Sequence, residues 1–253
     1  MMTDLHTHIL PCIDDGAQSA EIAVEMLKKE IEQGVKTVVF TPHYYGKKHS
    51  PQEFLEKRNE AYEKIKSAVA DMDISIRLGA EVYFSAQKIA PNHSLESLAI
   101  EGTKYILIEL PFSTVWSEAL FDRLRAFAKN SEFIPIVAHV ERYAEIKKNP
   151  QYLTTLVNSG CLLQVNSEAF LDETTRKFAF LLLKKGLVHC LATDCHDLTD
   201  RVCDYAKLKE LFEREGKVEE FERLQENMRI ILKGGVVKVT TPKPVKRFFG
   251  KYF

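Results

Sequence analysis

His6 and His8 stand one residue apart in the extended run Asp4-Leu5-His6-Thr7-His8, and Asp14-Asp15-Gly16 follows a few positions later. Side-chain direction along a strand has period two, so both imidazoles point to the same side. Two imidazoles on one face with an acid just beyond are half of a divalent-metal site. The pair alone is equally compatible with buried structural histidines or a chance spacing on a solvated edge. The rest of the chain decides, because His43, Glu81, Glu109, His139, Asp194 and His196 each lie at, or just past, the end of an otherwise apolar run.

With Asp15 these make nine nitrogen and oxygen donors and no sulfur. Nine donors exceed what one ion takes and suit two or three divalent ions with open positions for water or substrate. Imidazole and carboxylate without thiolate point to Mn, Fe or Zn rather than Ca or Mg alone. Taken singly, Glu109 reads as well as an ion-pair partner and His139 as a satisfied core histidine. Taken together without a metal, such strand ends would cost on the order of several kcal/mol in unpaired polar burial.

The elements that must position these donors can be read from periodicity. Continuous apolar runs over 35–40, 76–82, 104–110, 133–138, 161–165 and 187–193, after the opening run, give seven strand candidates of the kind buried on both faces. Helical patterns lie between most of them. One is capped by Ser19 and stopped by Gly34, and one is opened by the capping box Ser50-Pro51-Gln52-Glu53 and runs to 69. Others span 117–129, 150–160 and 172–185, the last closed by Gly186, and two polar amphipathic helices cover 200–215 and 218–233. Strand-helix alternation calls for a parallel sheet covered by helices, and its repetition over ~250 residues favours a closed barrel. No linker-like stretch divides the chain, so one barrel domain is expected over 1–240, with a basic-aromatic tail at 241–253. In a parallel barrel all the donor-bearing ends meet on the face where such folds place their active sites.

The 253 residues are 45% hydrophobic and 28% charged, with a net charge of -1, which gives no global signature of nucleic-acid binding. The opening strand leaves no room for a signal peptide, and the longest apolar run, 178–183, is far short of the ~20 residues a bilayer span needs. Five cysteines, odd in number and without Cys-x-x-Cys spacing, fit a reduced, cytoplasmic compartment.

The donors, read with their neighbours as Asp4-Leu5-His6-Thr7-His8, Asp14-Asp15-Gly16, Thr41-Pro42-His43, Gly79-Ala80-Glu81, Glu109, Ala138-His139-Val140-Glu141-Arg142 and Thr193-Asp194-Cys195-His196, form a set that resembles the polymerase-and-histidinol-phosphatase (PHP) family. Within it, the set is most similar to the bacterial manganese-dependent protein-tyrosine phosphatases of capsule and exopolysaccharide regulation. The resemblance runs from residue 4 to about residue 201. It implies a distorted (βα)7, TIM-like barrel and a trinuclear centre loaded with Mn2+, with Fe or Zn as alternatives. By motif, His6, His8, Glu81 and Asp194 would hold one ion. Glu81 would bridge to a second, held also by Glu109 and His139, and Asp15, His43 and His196 would hold the third. Asp15 is matched rather than Asp14 because it directly precedes the glycine. Ala17 and Val140 stand where many relatives carry proline, which bears on loop shape and not on the donors.

The implied reaction is attack of a metal-bridging hydroxide on protein phosphotyrosine, the implied partner a membrane-associated bacterial tyrosine kinase. Histidinol phosphate or another small phosphoester is the alternative substrate. Trimming of nucleic acid, the polymerase branch's role, is disfavoured by size and by the lack of a basic surplus. Amidohydrolases share the His-x-His opening but usually place a bridging lysine at a strand end, and none is offered here. An inactive regulatory module would have no need of nine intact donors.

Arg142 and Arg201 lie just beyond donor-bearing strand ends and could fork onto phosphate oxygens, the bland alternative being surface pairing with Glu141 or Asp200. Cys195 and Arg201 mimic the Cys-x5-Arg spacing of thiol phosphatases. The intervening His196-Asp197-Leu198-Thr199-Asp200 has two acids and no glycine and would repel an anion, so covalent cysteine catalysis is not expected. Tyr44-Tyr45 and Trp116 could wall an aromatic substrate or serve as ordinary packing. In the tail, Lys243, Lys246, Arg247 and Lys251 interleave with Phe248, Phe249, Tyr252 and Phe253. That composition suits peripheral contact with an anionic membrane, and equally suits aromatics packed on the barrel beneath solvated lysines.

Overall fold

Buried β-branched and aliphatic runs set the frame. In the computed structural model, which describes residues 1–84, 95–112 and 115–253, β1 covers Met2–Thr7, β2 Val35–Phe40 and β3 His43–Tyr44. They are followed by β4 Ser75–Leu78, β5 Glu81–Tyr83, β6 Tyr105–Glu109, β7 Ile134–Val137, β8 Leu162–Asn166 and β9 Cys190–Ala192. All pair in parallel, in the orders β1-β2-β4 and β3-β5-β6-β7-β8-β9. A parallel bridge between Thr7 and Cys195 brings the chain beyond β9 back alongside β1, so the sheet curls on itself. Leu5, Val38, Ile108, Val137, Val165 and Leu191 are fully buried, as expected of strands covered on both faces. The result is one α/β domain of TIM-like character.

Two strand expectations need correction. The run 76–82 is not one strand but β4 and β5, separated at Gly79-Ala80, and the run at 35–40 is followed by a second short piece, β3, beyond Thr41-Pro42. The breaks are adjacent and paired: Gly79 N–H donates to the Phe40 carbonyl (2.9 Å) and Glu81 N–H to the Pro42 carbonyl (3.0 Å). Proline offers no N–H to the ladder, which interrupts the pairing. Arg58, buried on the helix below, secures the break by donating to the Gly79 carbonyl (2.8 Å).

Nine helices among the described residues flank the sheet. Ser19 caps α1 (Ala20–Glu32), accepting from Ile22 N–H, and Ser50 and Glu53 close a full capping box on α2 (Pro51–Val69). Such a cap contributes ~1 kcal/mol. Helices α3 (Glu118–Asn130), α4 (Ala144–Lys148), α5 (Gln151–Asn158) and α6 (Glu168–Leu171) follow in order. The expected helix 172–185 begins later, as α7 (Arg176–Lys184). Asp172 instead spends its carboxylate on the Thr174 N–H and hydroxyl, which holds a turn. The expected helix from 200 likewise starts at Tyr205 (α8, Tyr205–Arg214), because Asp197 collects the N–H groups of Thr199 and Asp200 in a loop. Helix α9 spans Val218–Leu232. No helix among the described residues is long and apolar enough to cross a membrane.

The tail is packed on the domain at some positions and exposed at others. Lys243 N–H donates to the Lys185 carbonyl at the end of α7, and Val245 is buried. Tyr252 then packs on Phe178 at the start of α7 and donates its hydroxyl to the Lys147 carbonyl (2.9 Å). The tail therefore climbs α7 from the far end of the sheet towards the strand ends. Between these anchors, Arg247–Phe248 (β10) and Lys251–Tyr252 (β11) form an antiparallel hairpin that leaves Phe248, Phe249 and Phe253 exposed.

Candidate metal centre

The nine donors named from the sequence converge at the C-terminal ends of the strands. His6 sits within β1 and His8 immediately beyond it, anchored by His8 N–H on the Cys195 carbonyl and by Asp194 N–H on the His6 carbonyl (each 2.9 Å). The Asp14-Asp15-Gly16 loop lies against His8 so closely that a Cβ at Gly16 would fall 2.0 Å from the His8 carbonyl oxygen. Only glycine fits there, and the contact fixes where Asp15 points. His139 and Asp194 both have left-handed backbones (φ 32° and 56°). This conformation costs a non-glycine residue ~1–3 kcal/mol and clusters at functional sites.

Atom by atom, His6 Nε2 and His8 Nε2 are 3.0 Å apart. Each lies 3.4–3.5 Å from Glu81 Oε2 and 3.4 Å from Asp194 Oδ1. Donors held ~2.0–2.1 Å from one ion at tetrahedral angles are separated by ~3.3–3.4 Å. His6, His8 and Glu81 form one ligand-spaced group of this kind, and Asp194 Oδ1 approaches both of its imidazoles. The other carboxylate oxygen of Glu81 reaches His139 Nε2 at 2.9 Å, and Glu109 Oε1 lies 3.8 Å from the same nitrogen. Asp15 Oδ1 lies 3.3 Å from His43 Nε2 and 3.5 Å from His196 Nε2. His8, Asp15, His43 and His196 form one ligand-spaced group, and His43, Glu81 and Glu109 another.

Hydrogen bonds behind the donors set their chemistry. His8 Nδ1 is 2.7 Å from Asp14 Oδ2, His196 Nδ1 2.7 Å from the Asp194 carbonyl, and His6 Nδ1 3.3 Å from Gln164 Oε1. Each partner can only accept, so Nδ1 carries the proton and Nε2 turns its lone pair to the centre, the arrangement metal-binding histidines use. Glu81 Oε2, His139 Nδ1 and His196 Nε2 are buried without a hydrogen-bond partner. Burial and the Glu81 charge push Glu109 up to about 7, a repulsion that a cation between the carboxylates would remove. Donor set, tautomers and orphaned atoms all fit divalent ions.

Several of these groups escaped sequence reading. Gln164 also accepts the His139 N–H (2.8 Å) and donates to Asn166 (2.8 Å), which in turn donates to Asp194 Oδ2 (3.1 Å). The available signal was two amides spaced i, i+2 in an otherwise apolar strand, the same parity that exposed His6 and His8. Asp14 is not a stray neighbour of Asp15, because it orients His8 and takes the His43 N–H (3.0 Å).

Arg142 and Arg201 pair with neither Glu141 nor Asp200. Both reach Asp194 Oδ2, at 2.9 and 2.5 Å, with side chains 42% and 31% exposed at the mouth. Cys195 turns away from the donors, its thiol 3.5 Å from the buried Glu30 carboxylate, and burial and that charge push its pKa well up. A thiolate nucleophile is thereby disfavoured. Tyr44 is core, set edge-on to Phe54, and Trp116 is core, donating to the Pro111 carbonyl. Of the expected aromatic walls only Tyr45 flanks the mouth, with its ring 5.4 Å from His43 and 5.7 Å from Tyr83, and it is joined by Phe112, 5.5 Å from both His139 and the Arg142 guanidinium.

Residues 2–233 match the family model described as capsular polysaccharide synthesis, CpsB/CapC. The chain is 30% identical to the tyrosine-protein phosphatase YwqE of Bacillus subtilis, over 97% of each chain. It is also 30% identical to the tyrosine-protein phosphatase CpsB of Streptococcus pneumoniae, over 79% of this chain and 85% of that one. Among solved structures, one described as YwqE and CpsB, unique metal-dependent tyrosine phosphatases, superimposes with a TM-score of 0.82 at 28% identity, covering 97% of this chain and all of the other. An amidohydrolase from Mycoplasma synoviae, at 12% identity and a TM-score of 0.56, shares the fold alone.

Proposed function

The chain belongs to the CpsB/CapC family of capsular polysaccharide synthesis, and from that premise we propose that it is a metal-dependent protein-tyrosine phosphatase of the cytoplasm. The observation that carries the reading is the convergence of buried donors at one point, with His6, His8 and Glu81 at ligand spacing and Asp194 Oδ1 3.4 Å from both imidazoles. His6, His8, Glu81 and Asp194 would hold one divalent ion, Glu81, Glu109 and His139 a second, and Asp15, His43 and His196 a third, with Mn2+ the expected metal. In the same reading β2–β3 and β4–β5 each count as one interrupted strand, which makes the curled sheet a distorted seven-stranded barrel.

Divalent ions, when bound, neutralise phosphoryl charge and activate water as a nucleophile at neutral pH. The chain's own residues do the rest. Arg142 and Arg201 each spend one N–H on Asp194 and retain further donors at the mouth for the phosphoryl oxygens. Asp14, Gln164 and Asn166 hold the imidazoles and Asp194 in the geometry the reaction needs. Tyr45 and Phe112 flank the centre with apolar rings that suit the phenyl ring of phosphotyrosine. A phenolate of pKa ~10 leaves with little proton assistance.

The substrate protein would be a tyrosine kinase at the membrane, and the tail hairpin supports that placement. Phe248 and Phe249 at its tip, beside Arg247 and Lys251, suit an anionic headgroup layer, while Val245 and Tyr252 hold the hairpin's base on the domain. Phe248→Ser/Phe249→Ser should lose vesicle binding with unchanged hydrolysis of a small aryl phosphate. Equal vesicle binding by both proteins would leave the hairpin without that role.

Phosphotyrosine peptide and histidinol phosphate, assayed side by side on the Mn2+-loaded protein, test the proposal. The peptide should be hydrolysed with the higher kcat/KM. Preference for histidinol phosphate would move the assignment to the small-molecule branch.

A further inference from the structure

We propose that the end of the sheet opposite the metal centre holds a second ligand site, built for a phosphate-bearing small molecule such as a nucleoside polyphosphate. A cavity of about 760 Å³ opens there between the end of α7, the approach to β9, α9 and the segment 236–243. That volume is in the range of nucleotide-sized sites.

The charge around it is one-sided. Lys184, Lys185, Arg223, Lys238 and Lys243 line the cavity, and no aspartate or glutamate does. Among the described residues none of these five side chains makes an ion pair or hydrogen bond. Elsewhere the lysines and arginines of this chain commonly meet acids, as Lys28 meets Glu25, Arg125 meets Glu118 and Arg229 meets Glu226. The chain as a whole has a net charge of -1, so this grouping is local. Like charges gathered around one cavity repel one another until an anion joins them.

A buried donor lines the same cavity. His189 is 3% exposed, and its Nδ1 accepts the Leu163 N–H at 3.0 Å, which places the ring proton on Nε2. The His189 carbonyl accepts from Asn227 Nδ2 at 2.9 Å, so the residue is held from both sides. Nε2 itself is buried with no partner. Burial and the neighbouring Arg223 charge push the ring down to about 4, which leaves it a neutral N–H donor at physiological pH. A buried donor without an acceptor is costly.

The remaining wall is apolar. Val188 and Ile230 lie behind it, and Val236 stands 77% exposed at its rim. A ligand with an apolar ring and a charged arm would cover Val236 while its phosphates meet the cations. The concave shape favours a small molecule over a nucleic-acid strand.

Calorimetric titration of the metal-loaded full chain with ATP, pyrophosphate and adenosine tests this, alongside an Arg223→Gln/Lys238→Gln variant. Both positions are exposed, so an unchanged Tm should confirm that the variant folds. ATP and pyrophosphate should bind the natural chain and adenosine should not. Both anions should bind the variant at least tenfold more weakly, with hydrolysis of a small aryl phosphate unchanged. Absence of binding, binding equally tight in the variant (which would put the anions at the metal centre), or adenosine binding as well as ATP would each overturn the proposal.

Discussion

The two ends of the sheet are built from opposite kinds of polar group. At the C-terminal ends, carboxylates and imidazoles are buried and interlocked, so that Glu81 alone lies within 3.5 Å of His6, His8, His43 and His139. At the other end, exposed lysines and an arginine stand apart from any acid around a cavity. Burial explains the contrast. Charges withdrawn from water must be neutralised in place, so the first set needs every partner and a rigid frame, whereas water screens most of the second. Substitutions should therefore be severe at the metal end and mild in their effect on activity at the far end.

Glu81→Gln should have the largest effect, because it removes one charge shared by four histidines. Turnover should fall by ~10³-fold or more with loss of bound metal. A loss under tenfold would break the contrast. Gly16→Ala comes next. Its Cβ has no room against the His8 carbonyl, so the loop bearing Asp15 must shift. We expect ~10²–10³-fold lower turnover and a lower Tm, and an unchanged variant would show that the loop is not part of the frame.

Arg142→Ala should cost ~10²-fold in kcat/KM, the scale of one charged contact to a phosphoryl group. Most metal should remain, because Arg201 also holds Asp194 Oδ2. Metal loss with unchanged turnover per occupied site would make Arg142 purely structural.

At the far end the sharpest test is acid stability. The folded pKa of His189, about 4, lies below its unfolded value near 6.5. The unfolded chain takes up the proton first, so stability fully present above pH 6.5 is lost as pH falls towards 4, by up to ~3 kcal/mol. His189→Gln should flatten denaturation midpoints in that window without altering turnover at neutral pH. An unchanged slope would show that His189 is not held neutral.

How much of this was legible depended on whether a contact is local in sequence. His6 and His8 were readable from strand parity, and Ser50 to Glu53 from a four-residue capping pattern, because the physics lies within a few positions. The break at Gly79-Ala80 was not, since it is matched to Thr41-Pro42 in the neighbouring strand and secured by Arg58 from a helix. The pairing of both arginines with Asp194 spans 52 and 7 residues and depends on loop paths that composition does not fix. The cationic cavity left no trace, because its members are interspersed along the chain with acids that fold elsewhere.

Metal content and turnover, measured on the same sample through chelation and Mn2+ return, test the central claim most directly. Chelation should remove ions and turnover together. Titrated Mn2+ should restore both, with full rate reached at about three ions per chain, and Cys195→Ser should follow the same curve. Turnover that persists in metal-free protein, or a folded, metal-loaded Cys195→Ser protein without activity, would contradict the account.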